Sequence, residues 1–297
     1  MDYRGTRVLV TGASGFIGLA LARTLAEHGA EVHGLSRSPP PGGQGILWHA
    51  VDLASPGWEG TLPSAAPWTH LFHLANPSVL KLDFPLEDYL RIDVQATRSL
   101  MALARRDGAH LVTVSSGSVY APSGNPHREE DPTLPLTPYA QAKLAGESVL
   151  TGEDRTTIVR LFGVFGPREA SSRLVPTVAC ALRDGKEASL SEGSQVRDLL
   201  HLQDAVEALM TLGLRQADGI FNVGSGEGHS VREIAEGIAR RLGRPDLLRF
   251  GPPSKRPHDC PRWVADTGRI RSALGWSPRI PWERGLDLAV AWWQQHR

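Results

Sequence analysis

The strongest constraint on this chain is a glycine-spaced turn near its start. Gly12-Ala13-Ser14-Gly15-Phe16-Ile17-Gly18 follows the apolar run Arg7-Val8-Leu9-Val10 and opens a helical pattern over residues 15–28, with Ile17, Leu21 and Leu25 on one face. An apolar strand that breaks at glycine and restarts as a helix is the first half of a βαβ unit. Each glycine has a separate task there. Gly12 permits the tight turn, Gly15 lets backbone approach a pyrophosphate, and Gly18 allows helix and strand to pack closely. The free N–H groups of the helix start then face phosphate oxygens. The expected cradle is Gly12, Ser14, Gly15, Phe16, Ile17 and Gly18, and its expected ligand is a nicotinamide dinucleotide.

The rest of the chain extends the alternation. Strands are expected at 31–35, 46–51, 70–74, 111–114, 157–160 and 221–223. Helices are expected at 86–106, 138–150, 175–183, 203–214, 231–242 and 284–295. Pro39-Pro40-Pro41-Gly42-Gly43 is fit for neither a helix nor a central strand. Strands alternating with helices imply an α/β fold, a Rossmann-type doubly wound parallel sheet with helices on both faces. After Pro167 the pattern loosens. Residues 1–165 are expected to form the dinucleotide domain, with segments near 195–225 returning to it. Residues 166–297 are expected to form most of a smaller, interleaved α/β substrate lobe.

Bulk properties exclude several classes. The 297 residues carry a formal net charge of zero and no long Lys/Arg run, which argues against nucleic acid and anionic membranes. No apolar run approaches the ~18 residues of a membrane span, and the N-terminus lacks the pattern of a signal peptide. Two cysteines, Cys180 and Cys260, fit a reducing cytoplasm, the expected compartment. His127, His201, His229 and His258 are scattered without metal-ligand spacing, and no metal is expected.

Chemistry is expected from three residues. Tyr139 and Lys143 lie four apart, on one face of the 138–150 helix. An ammonium near a phenol favours the phenolate, which suits Tyr139 to proton transfer. Ser116 ends the 111–114 strand, at the sheet edge where ligands of parallel sheets bind, and its hydroxyl can hydrogen-bond a carbonyl or alkoxide. The strand at 31–35 leads into Ser36-Arg37-Ser38 and offers no carboxylate for a ribose 2′-hydroxyl. Arg37 suits a 2′-phosphate instead. NADP is therefore expected, with NAD as the alternative. Asp52 and Leu53 are placed to touch the adenine, and capping of the next segment is an equal alternative for Asp52.

Taken together, these residues resemble the extended branch of the short-chain dehydrogenase/reductase superfamily. The resemblance rests on the glycine turn, Ser116 ahead of Val119-Tyr120, and the Tyr-x-x-x-Lys spacing. It continues in His73-Leu74-Ala75-Asn76, in Arg160 to Pro167, in Arg197-Asp198-Leu199-Leu200-His201, in Phe221-Asn222-Val223-Gly224 and in Leu274-Gly275-Trp276. It implies a Rossmann domain with a C-terminal substrate lobe, and nucleotide-diphosphate sugars as the commonest substrates. It places Leu74, Ala75 and Asn76 beside the cofactor. Ser116, Ser118, Gly163, Arg197 and Arg256 fall on the substrate side, with the two arginines facing the diphosphate. It also implies dimerisation through the 86–106 and 138–150 helices, so a homodimer is a further expectation.

Three departures narrow the implied reaction. Gly117-Ser118 stand where the dehydratase branch carries an acid–base pair, so elimination is disfavoured. Gly163 and Asp93 each stand where the pattern has Asn. Two reactions remain: reduction of a nucleotide-linked 4-keto(-6-deoxy) sugar by NADPH, and C4 epimerisation with tightly bound NAD. Arg37 tips the reading toward reduction. A non-catalytic dinucleotide-binding protein is the alternative from another class.

Overall fold

The computed structural model describes residues 1–40, 45–63, 66–77, 84–253 and 260–296. The chain begins with β1 (Arg7–Thr11), α1 (Phe16–Glu27), β2 (Glu31–Ser36), β3 (Ile46–Ala50) and β4 (His70–His73). Next come α2 (Leu86–Leu90), α3 (Thr97–Asp107), β5 (His110–Ser116), α4 (Pro138–Leu150) and β6 (Thr156–Leu161). The following stretch holds β7 (Gly163–Phe165), α5 (Leu174–Arg183), β8 (Ala188–Leu190), β9 (Val196–Arg197) and β10 (Leu199–His201). After it come α6 (Leu202–Leu214), β11 (Gly219–Val223), β12 (His229–Ser230), α7 (Val231–Leu242) and β13 (Leu248–Phe250). The chain closes with β14 (Arg262–Trp263), α8 (Gly268–Leu274) and α9 (Trp282–Gln295).

Seven strands form one parallel sheet in the order β11-β6-β5-β4-β1-β2-β3. Strand β1 pairs with both β2 and β4, so the direction of winding reverses between β1 and β4. That reversal opens a crevice at the carboxyl ends of the strands. Both faces are covered, which is why the strands read as continuous apolar runs. Val8 and Val10 face α1 and α6, packing with Leu21, Leu25, Leu209 and Leu212. Leu9 faces the other way, with Leu71 and Leu111, onto Leu100 and Leu103 of α3 and Leu150 of α4. A third core lies under α5, α7 and α9, built from Val178, Leu182, Ile234, Ile238, Leu286 and Val290.

Two features differ from the sequence reading. The helix expected over 86–106 is interrupted by a π turn at Arg91–Ala96, between α2 and α3. Helix α4 crosses this turn so closely that a Cβ on Gly146 would lie 2.4 Å from the Asp93 carbonyl oxygen. The second feature is a set of two- and three-residue strands after β6, too short to leave a period in the sequence. Among them β7 pairs with β10, setting Gly163 opposite Leu199. A Cβ at Gly163 would lie 2.6 Å from the Asp198 carbonyl oxygen. Glycine stands at this position because the neighbouring backbone occupies the space of a side chain.

Candidate active site

The glycine turn is shaped by close approaches. Gly12 has φ +65°, and a Cβ there would stand 2.8 Å from the Ala75 backbone at the end of β4. A Cβ on Gly18 would stand 2.2 Å from the Gly12 carbonyl oxygen. Helix α1 is thus pressed against the turn, with its N-terminus at the crevice. Gly15 is its N-cap and supplies no side-chain acceptor, so the first-turn amides are left for a ligand oxygen. Ser14 Oγ meets Ser36 Oγ at 2.7 Å and ties the turn to the end of β2. These are the features that a dinucleotide pyrophosphate requires, and the residues fit it.

The adjoining walls hold the remaining expected cofactor residues. Arg37 is exposed at the cleft edge and makes no ion pair among the described residues. Asp52 is exposed too, and its carboxylate accepts from the Ala54 amide at 3.1 Å while it lines the cleft. Leu53 is buried beside it. At the end of β4 the Ala75 amide donates to Thr11 Oγ1 at 3.2 Å. Asn76 Nδ2 donates to Asp93 Oδ2 at 3.4 Å, whereas Asn76 Oδ1 is buried without a partner among the described residues, an acceptor available to a bound group.

Ser116 caps a short turn at the end of β5. Its Oγ accepts from the Ser118 amide at 3.2 Å and from the Ser118 hydroxyl at 2.9 Å. Helix α4 starts from Thr137, whose hydroxyl accepts from the Ala140 amide, with Pro138 in the first turn. It carries Tyr139 half-buried at the cleft and Lys143 buried one turn on, with Lys143 Nζ 5.9 Å from the Tyr139 ring centroid. Burial alone would lower the Lys143 pKa. The Asp93 carboxylate at 2.7 Å, and then Tyr139, outweigh it and hold the ammonium above its usual value.

Every described residue expected at the site lines one cleft of about 1620 Å³, from Gly12 through Tyr139 to Gly163 and Arg197. This exceeds the ~300–1,000 Å³ typical of a single small-ligand pocket. Arg256 lies outside the described residues. The Arg197 guanidinium donates to the carbonyls of Val196 and Cys260, both at 2.9 Å. Its neighbour Asp198 is buried and accepts from Ser225, Gly226 and Ala265. Gly117 backs onto the Phe162 ring, and a Cβ there would lie 2.9 Å from it. No acidic side chain fits at that position without displacing Phe162.

Sequence reasoning missed Glu169, which also lines the cleft. It is 6% exposed; Oε1 lies 3.6 Å from Arg173 Nε, and Oε2 has no partner among the described residues. Nothing in Gly166-Pro167-Arg168-Glu169 signals burial, which arises from how the loop after β7 folds back. Burial pushes the carboxyl from 4.5 up to about 7, with Arg173 pulling the other way. Between those values the folded chain keeps a proton that the unfolded chain has released, so stability falls as pH rises across that window. Glu169→Gln is expected to remove this fall. Urea unfolding should find the variant unchanged near pH 4 and more stable by on the order of 3 kcal/mol at pH 8. Parallel profiles would show that Glu169 is not buried in this way.

Topology, glycine turn and the Tyr139–Lys143 pair on α4 place the chain in the class of extended short-chain dehydrogenase/reductases. The model of the NAD dependent epimerase/dehydratase family matches residues 8–224, and the chain belongs to that family. It is 33% identical over 310 residues to a UDP-glucose 4-epimerase of Mycolicibacterium smegmatis, covering 96% of this chain and 97% of the relative. It is 30% identical over 324 residues to a dTDP-glucose 4,6-dehydratase of Streptomyces griseus, covering 98% and 95%. Among solved structures, the Thermus thermophilus UDP-glucose 4-epimerase complex with NAD superposes with a TM-score of 0.87 at 28% identity, covering 98% of this chain and all of that one, 100%. Among the described residues no helix is long and apolar enough to cross a membrane, and no group of His, Cys, Asp or Glu could hold a metal ion.

Proposed function

We propose that this enzyme interconverts a hydroxyl and a ketone at C4 of a nucleotide sugar without eliminating water. The observation that carries the reading is the convergence of Ser116, Tyr139 and Lys143 on the cleft that also holds the glycine turn, with no acid at 117–118. A nicotinamide dinucleotide, when bound, supplies reversible hydride exchange. Tyr139 passes a proton to or from the sugar oxygen, and the Ser116 hydroxyl hydrogen-bonds the same oxygen. Lys143 holds the cofactor ribose and biases the Tyr139 proton. The first-turn amides of α1 hold the pyrophosphate, and Arg197 faces the substrate diphosphate.

Two outcomes of this chemistry are supported by different observations. Relatives named UDP-glucose 4-epimerase that match nearly end to end favour epimerisation. Arg37, where a carboxylate would hold a ribose hydroxyl, favours net reduction with NADPH. Mass spectrometry of dinucleotide released from the purified protein separates them, combined with two assays. Retained NAD and conversion of UDP-glucose to its C4 epimer by NMR would establish the epimerase. Released NADP and NADPH oxidation with a nucleotide-linked 4-keto sugar would establish the reductase. No turnover in either assay would overturn both.

Arg37 gives a separate expectation. A charged hydrogen bond is worth about 1.5–3 kcal/mol, so Arg37→Ala should weaken NADP binding by roughly 10- to 100-fold and leave NAD binding unchanged, by calorimetric titration. Unaltered discrimination would remove Arg37 from cofactor choice and leave the epimerase reading in place.

A further inference from the structure

Lys143 reaches the cleft with its charge already matched. Nζ lies 2.7 Å from Asp93 Oδ1 and donates to the Val114 carbonyl at 2.9 Å. Both side chains are buried, at 6% and 3% exposure. An ammonium has three N–H donors, so two are committed inside the protein and one is left for the cleft. Asp93 is itself held by main-chain geometry. It sits in the π turn at Arg91–Ala96, and its carbonyl accepts from Thr97 Oγ1 at 2.8 Å. Its Oδ2 accepts from Asn76. Single π turns inside α-helices occur often at functional sites, and this one delivers a carboxylate to the lysine behind Tyr139.

The other ionisable groups facing Lys143 do not duplicate Asp93. On α4, Glu147 is taken by Arg160 at 2.7 Å, and Tyr139 is the group whose proton is in question. On β4, burial first and then the charge of Lys143 lower His73 to about 3, so it stays neutral. Asp93 is thus the carboxylate in contact with the ammonium among the described residues.

We propose that Asp93 is a positioning residue that fixes Lys143 and offsets its charge, weakening the pull of the ammonium on the Tyr139 proton. The proposal rests on the reading of Tyr139 as the proton-transferring group. An offset ammonium pulls less on the phenol proton, which favours giving a proton to a carbonyl oxygen over taking one from a hydroxyl. The site is thereby biased toward the reductive direction.

The test is a tyrosinate absorbance titration of the protein without added substrate or cofactor. The chain has four tyrosines. Burial pushes Tyr3 well above its usual range and Tyr120 up to about 12, and subtraction of a Tyr139→Phe titration isolates Tyr139. Asp93→Asn keeps the shape and removes the charge, and should lower the Tyr139 midpoint by about one pH unit or more. An unchanged or raised midpoint overturns the proposal. Should Asp93→Asn fail to fold around a bare buried ammonium, Asp93→Asn with Lys143→Met buries no charge and decides the matter. An offset pair predicts a midpoint near that of the natural chain, and a rise of about a unit or more would mean that Lys143 acts uncompensated. Failure of the catalytic reading itself would appear elsewhere, as retained turnover in Tyr139→Phe, and would leave this charge measurement intact.

Discussion

Tyr139→Phe is expected to lower turnover by about 10²–10⁴-fold, the range that a positioned acid–base group contributes, while dinucleotide binding stays essentially unchanged. The expectation follows from what the substitution removes. The ring packs edge-on against Tyr89, with centroids 6.0 Å apart, and Phe keeps that contact and the half-buried position on α4. Only the hydroxyl is lost, and with it the proton that must move as C4 changes between hydroxyl and ketone. Single-turnover kinetics and calorimetric dinucleotide titration on the same preparation separate the two effects. Lys143→Met should differ by losing binding as well as turnover, since Lys143 is proposed to hold the ribose. A Phe variant that turns over at the natural rate would sink the mechanism whichever dinucleotide is bound.

The contrast between Tyr139 and Asp93 shows what was legible in the sequence. Residues with a fixed spacing inside one element could be read. Gly12 is assigned the tight turn and Gly18 the close packing of helix on strand; Gly12 has φ +65°, and a Cβ on Gly18 would strike the Gly12 carbonyl. Tyr139 and Lys143 share one helix face, so four-residue spacing was enough to bring them to one cleft. The long strands and helices were visible because each buries a periodic apolar face. Contacts that depend on two elements meeting were not visible. Asp93 stood out only as a substitution, because its pairing with Lys143 needs a π turn, and nothing in the apolar period of residues 86–106 marks one. Gly163 stood out as a missing side chain, and its cause lies 35 residues away at Asp198, just before β10, whose carbonyl fills the space (Gly163 to Asp198). Glu169 gave no signal at all, since a carboxylate in a loop reads as solvated until the fold encloses it.

Arg160→Ala is expected to cost about 3–5 kcal/mol of stability, as breaking one partner of a buried ion pair does. The Arg160 side chain ends β6 inside the protein at 5% exposure, and its Nη2 and Nε meet Glu147 of α4 at 2.7 and 3.1 Å. Nη1 donates to the Glu129 carbonyl at 3.1 Å, and the guanidinium lies 4.7 Å from the Tyr120 ring centroid. Glu147 also accepts from the Ser115 hydroxyl at the end of β5. One ion pair therefore joins α4 to the strand carrying Ser116 and to its neighbour, and removing Arg160 strands a carboxylate with 6% exposure. For a chain of this size the loss corresponds to a fall in Tm of roughly 5–8 °C, readable by calorimetry, and the free-energy loss itself by urea unfolding. The same argument gives the opposite sign for a double change. Glu147→Leu with Arg160→Met removes both charges together and should recover much of the stability, though Ser115 and the Glu129 carbonyl lose partners. A single variant within about 1 kcal/mol of the natural chain would mean that α4 is held in place by apolar packing alone. The helix bearing Tyr139 and Lys143 would then owe its position to Ala140, Ala142 and Leu150 rather than to this pair.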